Sequence, residues 1–395
     1  MKAVEVYRSV PRYVAARVLT QRTPLAQGLA PVRYVDRREP GLPGDGWVRV
    51  KPLLSGICGS DLATVSGSSS FYFSPLVSMP FTPGHEVLGE LDDGTRVVLD
   101  PVLGCAARGL EPCASCAEGA TSRCDRVTLG HVSPGLQTGF CADTGGGWSG
   151  GLVAHTSQLH AVPGDLPDER AVLAEPLACA VHVARRSGIE KDQSVLVVGA
   201  GAVGLLTLLA VRALTPAGRI TAVAKHPRQS ALARELGADE VVGPSAVVRG
   251  VRRSTRAVVV TPERGRDFLL GGVDVAIECS GSSTGLDTAM RTTRAGGRVV
   301  LAGLPTSGVD LTPVWYRELD VVGAYATHAG DFTTALELLR DDRLSGLTTS
   351  FHPLTRWREA LDEAASAGRL GLAKVGFDLR EGLEGRNGSH ERGAA

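Results

Sequence analysis

The sequence has no surplus of charge: 42 Lys and Arg balance 42 Asp and Glu over 395 residues. The basic footprint that a nucleic-acid partner requires is therefore missing. No apolar run approaches the roughly 18–20 residues of a membrane span, so no membrane partner is expected. The opening segment MKAVEVYRSVPRYVAARVL contains neither an uninterrupted apolar stretch nor a cleavage site, which argues against export and for a cytoplasmic protein. Aromatic residues are scarce at 5%, but hydrophobic residues reach 43%, enough for a large core and too many for a wholly disordered chain. The 49 glycines follow no period, which excludes a collagen-like chain. At roughly 150 residues per domain, the length predicts two or three domains.

Cysteine is the first positive signal. Four of the eight cysteines, Cys105, Cys113, Cys116 and Cys124, fall within GCAARGLEPCASCAEGATSRC. A disulfide framework is a poor reading for a chain of this length with no export signal. A tetrahedral thiolate site for zinc suits the set, because Cys113-x-x-Cys116 offers two sulfurs from one tight turn. Cys105 and Cys124 flank the pair, with seven residues between each and its nearer neighbour. Four protein sulfurs leave no open coordination position, so such a site would hold structure rather than perform chemistry. The alternative is a redox CxxC among incidental cysteines.

The chain changes rhythm near Leu173. Before it, short apolar runs such as VRYVD, GWVRVKPLLSGI, EVLGELDDGTRVVLD and GGLVAHTSQLHAVP are broken by Gly, Pro and Asp, predicting a β-rich region. After it, ERAVLAEPLACAVHVARRSG has helical spacing ending at Gly188, and short β-branched runs then alternate with helices. That alternation predicts a parallel sheet in an α/β domain. Residues 245–266 are basic and predict a surface excursion of that domain. From about Asp331, DFTTALELLRDD and RWREALDEAASAG predict helices and AKVGFDL a closing strand. The terminal stretch from 380 to 395 is so poor in apolar residues that disorder is expected.

Gly199-Ala-Gly201-Ala-Val203-Gly204 follows the apolar strand Val195-Leu-Val-Val and opens the helix LLTLLAVRAL. In that order, strand, glycines and helix predict a dinucleotide site: the turn lets a pyrophosphate approach the backbone, and the helix start offers free N–H groups. A Gly-rich turn without a ligand is the alternative. About twenty residues past the last glycine, where NAD-binding chains carry an acid for the ribose hydroxyls, stands Ala224, followed by Lys225, His226, Pro227 and Arg228. A missing acid beside cations suits a 2′-phosphate and favours NADP(H) over NAD(H); a basic solvated loop is the alternative.

GICGSD and PGHE place Cys58, His85 and Glu86 in turns, and AEPL places Glu175 just before the dinucleotide motif. Thiolate, imidazole and carboxylate together predict a mixed zinc site whose fourth position stays open to substrate.

On these motifs, together with the four-cysteine segment, GAGAVG and the late FHPL, the chain resembles the zinc-dependent medium-chain alcohol dehydrogenases, in particular the sorbitol/threonine/glucose dehydrogenase branch, from about Lys2 to Leu379. The resemblance implies a Rossmann nucleotide-binding domain (173–328) and a GroES-like β-barrel catalytic domain built from both chain ends (1–172, with the structural-zinc lobe at about 104–125, and a return segment at 329–379). It implies catalytic zinc at Cys58 and His85 with Glu86 or Glu175, Ser60 as the hydroxyl that passes the substrate proton, and Asp61 as the acid that orients the histidine. Two zinc ions per chain, a homo-oligomer (dimer or tetramer) and reversible conversion of a secondary alcohol, polyol or amino alcohol to its carbonyl are the expectations. The rival reading is an inactive nucleotide-responsive protein that keeps the fold. The pattern departs from the family in three places: the Cys105–Cys113 spacing is longer than CxxC, Ala63 stands where many relatives carry a relay histidine, and the Cys58–His85 interval contains the aromatic stretch SGSSSFYFSPLVSMPF.

Overall fold

The computed structural model describes residues 1–19, 30–305 and 308–380; the predicted disordered tail thus lies almost wholly outside the described residues. Six strands form one parallel sheet: in chain order Val195–Val198, Ile220–Val223, Glu240–Val242, Val273–Glu278, Thr293–Leu301 and Asp320–Gly323. Numbered in that order they lie side by side as 3-2-1-4-5-6. This is the doubly wound Rossmann arrangement, whose strand order reverses between the first and fourth strands and leaves a crevice at their carboxyl ends. Val195, Leu196 and Val197 are fully buried, as a strand with helices on both sheet faces requires. Helices Ala174–Ser187 and Ala202–Leu214 cover one face, and their Ala, Leu and Val side chains join the largest core cluster.

The β-rich region forms a mostly antiparallel sheet in which both chain ends meet. Its main path runs Thr349–Pro353, Lys374–Asp378, Trp47–Gly56, Glu86–Glu90, Arg96–Leu99 and Leu159–Ala161, with Leu152–His155 paired to the far end of the Trp47–Gly56 strand. The closing strand predicted in AKVGFDL pairs through Gly376 with Gly56, so the return segment lies directly beside the strand that leads to Cys58.

Residues 245–266 are less of an excursion than expected. Helix Val247–Thr255 buries Val247, Gly250 and Val251 while its arginines point outward, and the following hairpin, Val258–Val260 with Phe268–Leu270, forms its own two-stranded sheet whose Leu269 is buried in the core of the α/β domain. The long helix expected from Glu169 is split into Asp168–Ala171 and Ala174–Ser187. Strands Lys2–Val6, Thr349–Pro353 and Asp320–Gly323 were not distinguished in the sequence.

Candidate active site

The strand Trp47–Gly56 ends in GICGSD, where Cys58 precedes the short helix Gly59–Val65. Asp61 lies in the first turn of that helix and reaches back, its Oδ2 accepting the Cys58 backbone N–H at 2.9 Å. Its other oxygen faces His85 Nδ1 at 3.5 Å, and both side chains are almost fully buried. Nδ1 is thereby turned toward the acid and Nε2 toward Ser60, whose Oγ stands 3.4 Å away. Burial opposes a charge on His85, but Asp61 and Cys58 beside it outweigh that and hold the imidazole well above its ordinary range. Phe140 lies against the same ring at 5.7 Å between centroids.

The two glutamates differ. Glu86 is engaged by Lys374, whose Nζ lies 2.6 Å from Oε1 and 2.5 Å from Oε2, and both residues are buried. Among the described residues Glu175 has no cation bonded to it; it accepts the Cys179 thiol at 3.3 Å. Burial raises its pKa to about 7, with Glu86 adding repulsion against the attraction of His85 and Lys374. The sequence reading missed Lys374, Cys179 and Phe140. Lys374 carried a signal, being a charged residue at the start of the apolar closing strand.

These residues suit a zinc ion in chemical type. A thiol, an imidazole and a carboxyl group face one another, and the buried His85 Nδ1 and Asp61 Oδ1 stand opposite each other at 3.5 Å with no closer hydrogen-bond partner, an outer acid placed beside a histidine of metal-ligand type. The set is not drawn tight: among the described residues, only Cys105, Cys113, Cys116 and Cys124 bring their donor atoms within 4.8 Å of one another. In that quartet Cys105 Sγ lies 3.6 Å from Cys124 Sγ, and backbone N–H groups of Cys113 and Arg126 point at Cys105 and Cys124 sulfurs at 3.3 and 3.4 Å. Backbone donors lower the Cys113 pKa to about 7, which favours the thiolate a metal needs. The seven-residue spacing does not carry Cys105 away, because a 3-10 turn at Ala106–Arg108 folds the interval back.

At the nucleotide crevice, Gly199 has φ +105°, and a Cβ on Gly204 would lie 1.9 Å from the Gly199 carbonyl oxygen, so helix and loop meet as only glycine allows. Gly201 caps the helix that carries Val203, and a Cβ there would meet nothing within 4 Å on the open side where a ligand would lie. Ala224 is buried, its N–H bonded to Val242 O at 3.0 Å. Lys225 is exposed with no hydrogen bond or ion pair among the described residues. Arg228 is drawn aside, donating to Gly346 O at 2.8 Å.

The fold and site thus define a zinc- and nicotinamide-dependent dehydrogenase class. Residues 44–164 match the alcohol dehydrogenase GroES-like domain and residues 202–341 the zinc-binding dehydrogenase model. L-idonate 5-dehydrogenase of Vitis vinifera is 29% identical over 351 residues, 85% of this chain and 88% of the relative. Sorbitol dehydrogenase of Arabidopsis thaliana is 29% identical over 84% of this chain and 88% of its own. A zinc-binding dehydrogenase of Sinorhizobium meliloti solved with NADP is 26% identical, with TM-score 0.66 over 88% of this chain and 95% of its own. The chain belongs to the zinc-dependent medium-chain alcohol dehydrogenase family, in its sorbitol-like branch, and is an oxidoreductase acting on alcohol and carbonyl groups. Among the described residues, no helix is long and apolar enough to cross a membrane.

Proposed function

We propose that the protein interconverts a secondary alcohol or polyol and its ketone with NADP(H), using an open zinc site at Cys58, His85 and Glu175 and a second, structural zinc in the four-cysteine lobe. The observation that carries this reading is His85, buried between Asp61 on Nδ1 and Ser60 on Nε2. Glu175 is favoured over Glu86 as the carboxylate because Lys374 already neutralises Glu86. When bound, zinc held by these residues would supply Lewis-acid polarisation of the substrate oxygen and a nicotinamide would supply hydride chemistry at the carbinol carbon. The chain's own contribution is positional. Asp61 fixes the imidazole, and Ser60, exposed at the head of its helix, takes the hydroxyl proton. Ala63 stands in place of a histidine and offers no side-chain group to pass that proton on from Ser60.

The named relatives act on polyols: idonate, sorbitol and, in Bacillus subtilis, 2R,3R-butanediol, the last at 25% identity and TM-score 0.65. The hydrophobic stretch 71–81 favours a bulkier substrate on this reading, and its Leu76 O accepts the Leu136 N–H at 3.1 Å in the segment that leads to Phe140. Among the described residues the sixth sheet strand, Asp320–Gly323, is an unpaired edge flanked by exposed Trp315 and Tyr316, which supports a homodimer formed across that edge.

Cofactor choice rests on Lys225 more than on Arg228. Ala224 cannot bond a 2′-hydroxyl and does not repel a 2′-phosphate, and one charge-assisted bond from Lys225 changes affinity by roughly 10–100-fold. The test is kcat/KM over a panel of polyols and aryl or alkyl secondary alcohols with both cofactors, in the parent and in Ala224→Asp/Lys225→Ala. The parent should prefer NADP and the double variant NAD. A parent that prefers NAD sinks the cofactor assignment, and no turnover of any alcohol or ketone sinks the function.

A further inference from the structure

Arg108 is among the largest fully buried side chains of the protein, with 0% exposure. It lies in the long interval between Cys105 and Cys113, at the end of the Ala106–Arg108 turn. Its guanidinium makes no ion pair to a carboxylate within 4.0 Å among the described residues. All its hydrogen bonds go to neutral carbonyls: Nε to Leu103 O at 3.0 Å, Nη1 to Leu129 O at 2.9 Å and Val132 O at 3.3 Å, and Nη2 to Gly135 O at 2.6 Å. A buried cation satisfied by dipoles alone still lacks a counter-charge, and such a charge is costly in a low-dielectric interior. The charged or ionisable groups facing it are Cys141, Cys124, Cys105 and Asp143. Cys124 and Cys105 belong to the quartet whose donor atoms lie within 4.8 Å of one another. Four thiolates around one divalent ion carry a net charge of minus two, which neutral surroundings do not offset.

We propose that Arg108 is the counter-cation of the thiolate–metal centre and, through its planar fork, the brace that holds the lobe around it. The proposal rests on the reading that the lobe binds zinc. Two functions meet in one side chain. The fork ties Leu103, just before the first cysteine, to the 129–135 segment that follows the last. The positive charge offsets the excess negative charge of the metal-bound sulfurs. The close approach is built into the backbone, since a Cβ on Gly130 would lie 2.3 Å from the Arg108 carbonyl oxygen. The lengthened Cys105–Cys113 interval thereby has a physical purpose: it supplies the turn that carries the arginine inward. Arg108 is a positioning residue for the metal and touches neither substrate nor cofactor.

The experiment uses the full-length holoenzyme and reads zinc loss from the lobe as the rate at which Cys113 and Cys116 are alkylated in the presence of EDTA, measured by peptide mass spectrometry. Arg108→Gln keeps donors without charge; Arg108→Lys keeps charge without the fork. Loss of the charge should speed zinc loss roughly 10–100-fold, the range of a charge-assisted interaction, whereas Arg108→Lys should stay within about 3-fold of the parent. A second reading compares melting temperatures with and without EDTA: Arg108→Gln should lose more stability relative to the parent with metal bound than without it. Equal acceleration in both variants, or the same loss of stability with and without metal, overturns the charge role and leaves only a brace. If Arg108→Gln does not yield folded protein, Arg108→Lys decides alone, and a 10-fold or greater acceleration there overturns the proposal. A parent whose Cys113 and Cys116 alkylate at once, with no zinc in that peptide, overturns the metal reading itself rather than the role of Arg108.

Discussion

On the proposed reading, the two cysteine-bearing regions solve the same chemical problem at different distances along the chain. The lobe collects four sulfurs from one stretch of twenty residues, and they converge within 4.8 Å. The mixed site takes Cys58 and His85 from the two ends of an N-terminal interval, Glu175 from the first helix of the nucleotide-binding half, and Lys374 from the returning strand. Its donors are not gathered so tightly among the described residues. A saturated structural site benefits from local assembly, since its purpose is to hold one small fold. An open site benefits from being spread over elements that approach one another, because substrate must enter between them.

The largest expected effect separates the two regions directly. Cys58→Ala should lower kcat/KM by on the order of 10³-fold or more, through loss of several kcal/mol of electrophilic stabilisation, while the protein stays folded. Cys113→Ser should do the reverse, lowering melting temperature and solubility because metal affinity there is folding free energy. Metal analysis of the parent should return two zinc ions per chain. A single zinc, with Cys113→Ser melting like the parent, would erase the distinction.

Next in size is the ion pair that joins the return strand to the open site. Glu86 and Lys374 are both buried and bonded to each other. Lys374→Met leaves a buried carboxylate unpaired and should cost about 3–5 kcal/mol in denaturant unfolding, whereas Glu86→Leu/Lys374→Met should recover much of it. If the single and double variants are equally unstable, the pair is not the link between chain ends.

Much of this comparison could be read before the structure was known, and the limit was physical. Cys105, Cys113, Cys116 and Cys124 were legible because their spacing is local, and Gly199 to Gly204 because a tight strand-to-helix turn constrains residue type at each position. Cys58, the adjacent His85 and Glu86, and Glu175 lie far apart in the chain, so their joint reading as a mixed site rested on residue type and on resemblance to a family rather than on local spacing. Lys374 and Arg108 were missed because their partners are tertiary. Nothing near residue 374 points to Glu86, and nothing near 108 points to the Leu129, Val132 and Gly135 carbonyls. The strand Asp320–Gly323 was missed because four residues at a sheet edge carry too little pattern. Arg228 was placed with Lys225 on sequence proximity, yet the fold bonds it to Gly346.

The smallest effect tests the seam on which the spread-out site depends. Asp100, from the barrel, accepts the Thr327 hydroxyl from the other side at 3.2 Å and the Val102 N–H at 3.1 Å. Burial pushes its pKa up to about 6, opposed by those two donors and reinforced by Asp331. The Tyr325 hydroxyl and the Cys179 thiol also face it. The folded value lies above the ordinary 3.8, so the native state holds this proton more tightly than the unfolded chain. Its stabilising contribution is therefore complete below about pH 4, declines as pH rises through 6, and is gone above about 7. The span corresponds to at most about 3 kcal/mol, an upper limit because the carboxylate keeps some access to solvent. Asp100→Asn accepts the same two bonds and cannot ionise, so the variant should gain on the parent progressively from pH 4 to pH 7. Urea unfolding of both proteins at half-unit pH intervals measures that difference. A difference that stays constant across the window would mean that Asp100 ionises freely in the fold, and that the seam beside the open site is as wet as the protein surface.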